Sequence, residues 1–422
     1  MTVPFDGSDD LAAMLEGLSR MLRKGAQQGP VDWDAALAAA RAGIGDHEPV
    51  RPSQRDTVDQ AADIADVWLD ATTVFPRTGT RLTAASRRDW LEETFPQWRG
   101  VVEPVAAGIA AAMAGVLPGS GQLPEAVLDA LPPGLRDQLE QQLESPQFLE
   151  MTQQLSALAR GMGANVYGVQ FGRALAEMGT EVLGTSDIGV PLASASKPLL
   201  VLSNIQGFAE GLGVAVSDML VYAAVREVAH ERLFASATWL GPQLRAALER
   251  FATGVRIDND NVGRAMAEVD PSDPEALAAL LEGNLFNPEP SPDQQIALDV
   301  LETLLALIEG WVTTVSTQAV AGRIASGPAI DEALRRRRAA GGPAEKLFAG
   351  LVGLELRPIR IREATVLWQR ISDEVGTSAR DMLWSHPDLL PTSNDLAEGT
   401  FTVSTGADLM TELAPELEPG QD

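Results

Sequence analysis

Three residues on one predicted helix have nearly the types and spacing of a zinc-hydrolase motif. Residues 221–240 read VYAAVREVAHERLFASATWL, and Glu227 and His230 stand where H-E-x-x-H has its glutamate and its second histidine. In that motif the two histidines lie one helical turn apart and ligate one zinc ion, while the glutamate takes a proton from the metal-bound water. The position of the first histidine, however, holds Arg226.

The arginine conflicts with a metal site. A guanidinium group stays protonated and has no lone pair, so Arg226 cannot ligate a cation, and it would repel zinc from His230. The other two histidines offer simpler interpretations, His47 in an acidic loop and His386 before a proline in a turn. The spacing alone is therefore typical either of an ordinary charged helix or of a metal site that has lost a ligand.

A carboxylate in a distant apolar helix is the best partner for this motif. Glu309 lies within LLALIEGWV, and a buried charge of this kind is costly unless it is paired. Glu309 is thus a candidate third zinc ligand beside His230, with Glu227 as general base. Alternatively, the planar fork of Arg226 bridges Glu227 and Glu309 and replaces the metal as counter-charge.

Composition favours a mainly α (α+β) protein without a nucleic-acid partner. The 422 residues are 45% hydrophobic and only 5% aromatic, and the net charge is −27, whereas phosphate binding along nucleic acid needs a basic surface. The absence of cysteine excludes disulfides, thiolate ligands and cysteine nucleophiles. No signal peptide and no apolar run of about 18 residues is evident, so we expect a cytoplasmic protein without a membrane partner.

The chain divides into four predicted regions. They are an N-terminal helical region (1–116), a Pro/Gly-rich linker (117–138), a helical domain that carries the REVAH motif (139–405), and an acidic disordered tail (406–422). Within the third region, PLLVLSNI (198–205) is a strand candidate, and small residues such as Gly168 and Gly172 predict close approach of another helix.

Three further segments have predicted roles. The run Arg335–Arg338 follows two acids and is expected to form a solvated helix face. The segment LWSHPDLLPTSNDL contains two prolines and is expected to be extended. Residues 258–269 resemble the start of a calcium loop, but Val269 replaces the bidentate glutamate, which favours a polar turn.

Several blocks together resemble the zincin-like metallopeptidase type 2 family, found largely in actinobacteria. They are REVAHERLFASATWL, YGVQFGRALAEMGTEVLGTSDIGVPL, LLVLSNIQGF, KLFAGLVGLELRPIRIREATVLW and LWSHPDLLPTSNDL, in matching order from about residue 31 to 395. The resemblance implies a zincin-like helical core with a small β-sheet next to the REVAH helix. It also implies that Glu227 matches the catalytic glutamate and His230 the second histidine, whereas Arg226 departs from the family pattern.

Two functions follow from this resemblance and its departure. The first is a non-catalytic scaffold or binding protein, impaired by Arg226, that recognises an unidentified protein or peptide. The second is an active zinc-dependent metallopeptidase or other hydrolase, with Glu227 as general base and with His230 and Glu309 holding zinc. The mismatch at the first ligand position favours the non-catalytic protein.

Overall fold

Helices dominate the fold, which confirms the expectation of a mainly α protein. The computed structural model describes residues 29–45, 48–114, 146–187, 197–253, 291–339, 341, 347 and 360–403. In this part of the chain there are eleven α-helices: α1 (Trp33–Ile44), α2 (Pro52–Leu69), α3 (Arg87–Ala114), α4 (Pro146–Glu181), α5 (Leu202–Leu212), α6 (Val216–Ser236), α7 (Leu240–Thr253), α8 (Pro292–Val320), α9 (Gly327–Ala339), α10 (Ile361–Met382) and α11 (Ser393–Glu398).

Two short parallel strands lie beside the REVAH helix. Strand β1 (Thr83–Ala85) pairs with β2 (Leu199–Val201), and Ala84 stands opposite Leu200. The strand predicted at 198–205 is therefore too long, because helix α5 begins directly at Leu202. From that residue onwards the apolar positions have helical spacing, and Ile205 and Ala209 are buried on one face of α5.

Helices α6 and α8 form the centre of the molecule. Residues 222–230 of α6 and 306–316 of α8 are buried without interruption, as expected of helices covered on all sides. Buried apolar residues from Val31 to Leu396 form one hydrophobic cluster, so the N-terminal helices share a core with the helices that follow. Among the described helices, none combines the length and the apolarity needed to cross a membrane.

The segment expected to be extended is compact instead. It forms two short 3-10 turns, Leu383–Ser385 and Pro387–Leu389, followed by α11. Proline suits the first position of such a turn, and Thr392 and Asp395 form a reciprocal capping box that starts α11. The predicted linker (117–138), the tail (406–422) and the calcium-loop-like stretch (258–269) lie outside the described residues.

The predicted close approach at the small residues of α4 is confirmed. Helix α1 packs so tightly on α4 that a Cβ atom on Gly168 would lie 2.4 Å from the carbonyl oxygen of Asp32. A Cβ atom on Gly172 would lie 2.2 Å from the carbonyl oxygen of Ala36. Both contacts are with backbone, which cannot move aside as a flexible side chain can. Glycine is therefore required at these two positions.

We predict that Gly172→Ala destabilises the protein by roughly 1–3 kcal/mol, because the added methyl forces α1 and α4 apart. A Cβ atom added to Gly163, on the same helix, would have no other atom within 4 Å. Gly163→Ala should therefore raise the free energy of unfolding by up to about 1 kcal/mol through helix propensity. Urea denaturation of both variants measures the difference, and equal effects would contradict the packing argument.

Candidate active site

Helical geometry aims the three motif side chains of α6 in two directions. Arg226 and His230 are one turn apart and face α8, where Glu309 lies. Glu227 follows Arg226 by about 100° around the helix and faces the segment that connects α4 to β2. All four side chains are buried, with between 1% and 8% of each residue exposed.

Glu309 is hydrogen-bonded through both carboxylate oxygens. Arg226 Nη2 donates to Glu309 Oε2 over 2.7 Å, and Arg226 Nη1 donates to the hydroxyl of Thr313 over 3.2 Å. His230 Nε2 lies 3.0 Å from Glu309 Oε1. The distant carboxylate that the sequence indicated is thus next to both helix residues, and the guanidinium of Arg226 points at it.

The hydrogen bonds of His230 determine which of its ring nitrogens carries the proton. Nδ1 lies 2.9 Å from the backbone oxygen of Arg226, and a carbonyl only accepts, so Nδ1 is the donor. Burial, followed by the charge of Arg226, lowers the pKa of His230 to about 3. The ring is therefore neutral at physiological pH and directs Nε2 at Glu309 Oε1.

Ser186, rather than Arg226, holds the carboxylate of Glu227. The Ser186 hydroxyl donates to Glu227 Oε2 over 2.5 Å, and the Ser186 backbone N–H lies 3.2 Å from both carboxylate oxygens. A Cβ atom on Gly184 would lie 2.6 Å from Oε2, so glycine is needed beside this carboxylate. Burial raises the pKa of Glu227 to about 7, although the Ser186 hydrogen bonds act in the opposite direction.

Two arginines of α9 extend the network. Arg338 forms a hydrogen-bonded ion pair with Glu309, and its Nη2 lies 3.6 Å from Asp187 Oδ1. Arg337 Nη2 donates to Asp187 Oδ2 over 3.0 Å. Burial alone would raise the pKa of Asp187, but the two arginines lower it on balance. We call Arg226, Arg337, Arg338, Asp187 and Glu309 the arginine–carboxylate cluster.

The prediction of a solvated face for Arg335–Arg338 is thus wrong for its second half. Arg335 and Arg336 do lie at the surface, where they pair with Asp331 and Glu332. Four consecutive helical residues, however, span about 300° of the circumference, so a helix packed on one side must turn part of such a run inwards. That geometric argument was the signal that could have identified Arg337 and Arg338.

Ser186 and Asp187 were also missed by sequence reasoning. Their signal is weak, a short polar run, TSD, between apolar stretches. Of the remaining histidines, His386 is exposed beside Asp388 and distant in sequence from the motif, and His47 lies outside the described residues.

The donor set does not fit a zinc ion. A catalytic zinc site needs three protein ligands and an open position. Here His230 Nε2 and Glu309 are the available donors, and the oxygen Oε2 of Glu309 already accepts from two guanidinium groups. Among the described residues, no group of three or more histidine, aspartate, glutamate or cysteine side chains is arranged to hold a metal.

A small cavity adjoins the motif. Its volume of about 20 Å³ is enough for one water molecule. Its polar lining consists of Ser186, Asp187, Arg226, Glu227 and His230, and apolar side chains such as Leu183 and Met219 close the rest. Water can therefore reach Glu227, whereas a peptide segment would require a larger space than these residues leave.

Comparison with known proteins identifies a matching family and a solved structure with a similar fold. The sequence matches the family described as zincin-like metallopeptidase over residues 31–401. The fold is similar to a crystal structure from Chloroflexus aurantiacus described as "a putative hydrolase with a novel fold", with a TM-score of 0.57 and 18% sequence identity. The similarity covers 87% of this chain and 96% of the other. A comparison with curated proteins finds no significant match.

We predict that Glu309→Gln lowers the free energy of unfolding by roughly 3–5 kcal/mol, since it leaves the guanidinium groups of Arg226 and Arg338 without their carboxylate in the interior. The matched control is Glu332→Gln, which breaks ion pairs at the surface, where half of the Glu332 side chain is exposed. That loss should stay below about 1 kcal/mol. Urea denaturation at neutral pH compares the two, and similar losses would contradict a buried cluster.

A second prediction concerns pH. Unfolded Glu227 loses its proton near pH 4.5, whereas the native residue keeps it until about pH 7. Between these values the native state binds more protons, so rising pH destabilises wild type relative to Glu227→Gln, by up to about 3 kcal/mol. The lowered pKa of His230 has the opposite effect on stability, but it acts in both proteins and largely cancels from their difference.

Urea denaturation of both proteins from pH 4 to 8 measures this difference. Ser186→Ala serves as the control, because loss of the hydroxyl that stabilises the charged carboxylate should move the transition to higher pH. A difference between wild type and Glu227→Gln that stays constant over the whole range would contradict the raised pKa of Glu227.

Proposed function

This chain belongs to the zincin-like metallopeptidase family, and we propose that it is a non-catalytic member in which arginine takes the place of the metal. The observation that carries the proposal is the 2.7 Å hydrogen bond from Arg226, at the first ligand position, to Glu309. A side chain that would have to leave room for zinc instead binds the carboxylate that would ligate it. Recognition of a protein or peptide, without cleavage, is then the function left to the fold.

Charge supports this proposal. Zinc would bring two positive charges to Glu309, and Arg226 and Arg338 together bring the same number. A guanidinium group stays protonated and presents a planar fork to a carboxylate, so the pairing persists at every physiological pH. Because these cations are part of the chain, the centre of the fold is held together independently of metal supply.

The small cavity beside the motif also supports a non-catalytic protein. Peptide hydrolysis needs the scissile carbonyl, a nucleophilic water and a stabilising group within contact of each other. The cavity next to Glu227 and His230 has room for about one water. Binding of a protein partner would therefore use the outer surface of the molecule.

An active hydrolase is the second candidate, and two observations favour it. Glu227, with a pKa near 7, contacts a water-sized cavity, which suits a general base. His230 also donates Nδ1–H to a backbone carbonyl and carries no proton on Nε2, the tautomer that metal-binding histidines adopt. For zinc to bind, however, the guanidinium of Arg226 would have to leave Glu309.

Zinc loading separates the two candidates. We expect wild type, loaded with zinc and desalted, to retain no stoichiometric metal by elemental analysis, and its melting temperature to be unchanged by chelator. Arg226→His restores the missing ligand and should retain about one zinc per chain, with a melting temperature that chelator lowers. Arg226→Gln, which removes the charge but adds no imidazole, is the matched control and should retain none.

Zinc binding by the wild-type protein would contradict the proposal. Stoichiometric zinc in wild type that is lost in His230→Ala would overturn the proposal and support the hydrolase. Peptide cleavage by wild type that disappears in Glu227→Gln, with zinc retained, would then identify Glu227 as its general base. Both readouts apply to the full chain.

A further inference from the structure

Another cavity, of about 290 Å³, lies away from the motif, at the carboxyl ends of the two strands. It shares no lining residue with the small cavity. Its lining comes from three places where the chain enters a helix. They are residues 48–51 and Gln54 at the start of α2, residues 85–87 from the end of β1 to the start of α3, and Leu202, Ser203 and Gln206 of α5.

Two arginines give this cavity a positive lining. Arg87 Nε donates to Asn204 Oδ1 over 2.7 Å, which fixes the guanidinium and leaves both of its Nη groups for a ligand. Asn204 is buried and anchored in turn by hydrogen bonds to the carbonyls of Gly179 and Val182. Arg51 contributes the other guanidinium. In a protein with a net charge of −27, two guanidinium groups in the lining of one cavity, one of them held by Asn204, favour an anionic ligand.

The N-termini of helices α3 and α5 also lie at this cavity, and a helix N-terminus carries a partial positive charge. The first turn of α3 is capped, since Ser86 and Asp89 hydrogen-bond each other reciprocally. Helix α5 differs, because Val201 at its N-cap provides no side-chain hydrogen bond to the first-turn N–H groups. This first turn includes Leu202 and Ser203, which line the cavity, and it carries the positive end of the helix dipole.

We propose that this cavity binds the phosphoryl group of a small phosphomonoester. A guanidinium pairs with phosphate through two parallel hydrogen bonds, and open N–H groups at a helix start donate to the remaining oxygens. The volume, near the lower end for ligand pockets, leaves room for a few further atoms. Glu48, the one acid among the described lining residues, suits a hydroxyl or ammonium group on the rest of such a ligand.

The test is calorimetric titration of the full chain with inorganic phosphate at constant ionic strength, with chloride as the reference anion. We expect saturable binding that weakens about tenfold or more in Arg87→Gln, the loss expected for a charge-assisted hydrogen bond. Arg88→Gln is the matched control, because Arg88 is the next residue of α3 and pairs with Glu92 at the surface. It should change the affinity by less than about twofold.

Two more variants test whether a loss of phosphate binding results only from misfolding. Glu48→Gln removes the repulsive charge and should tighten phosphate binding severalfold. Ser203→Asp places a carboxylate at the open start of α5, so it should abolish phosphate binding without lowering the melting temperature. Absence of saturable binding to wild type, or equal effects of Arg87→Gln and Arg88→Gln, would overturn the proposal. Neither outcome depends on whether Arg226 excludes zinc.

Discussion

The burial of one carboxylate, Glu309, constrains the centre of this protein. Its charge has to be balanced where water cannot reach, and its neighbours come from two other elements: Arg226 and His230 from α6, Arg338 from α9. Unpaired charge in the interior is unfavourable, so packing arrangements that do not bring these cations to Glu309 are disfavoured. The carboxylate thereby contributes to the register of α6 against α8.

The charges around Glu309 do not cancel completely. The arginine–carboxylate cluster contains three guanidinium groups and two carboxylates, and the excess positive charge explains part of why His230 is difficult to protonate. Glu227 stands on the other side of α6 with a pKa near 7. Near neutral pH its proton is therefore held loosely, and its ionisation would bring the centre closer to neutrality. Burial and charge balance oppose each other at this residue.

The sequence was sufficient to predict the site residues whose surroundings depend mainly on the helix that carries them. Glu309 stands in an apolar run and required a partner, and Arg226 occupies a position that geometry assigns to a ligand, so their proximity followed from spacing and from the cost of burial. Ser186 and Arg338 could not be found in this way. Their orientation depends on which side of a short connection or of a basic helix is covered by the rest of the molecule.

The same limit applies to the fold. The helical content, and the close packing at Gly172, follow from composition and from small residues at helical spacing. The end of β2 at Val201 could not be predicted from the sequence, because an apolar run fits a strand and a buried helix equally well. Asn204 decides the matter through hydrogen bonds to Gly179 and Val182, which are contacts with a remote helix and its end. Local sequence contains no information about such partners.

Replacing a histidine by arginine at the first ligand position changes two properties at once. It removes a lone pair and adds a permanent charge, whereas a neutral residue would have removed the lone pair alone. The added charge matters because Glu309 would otherwise rely on Arg338 and a neutral imidazole. On the proposal that this protein is non-catalytic, the cation that balances Glu309 can no longer dissociate. The centre then gives up the open coordination position that makes a metal useful in catalysis and keeps the charge that makes it stable. Stability and catalysis, which a metal would couple, would thereby be separated at this site.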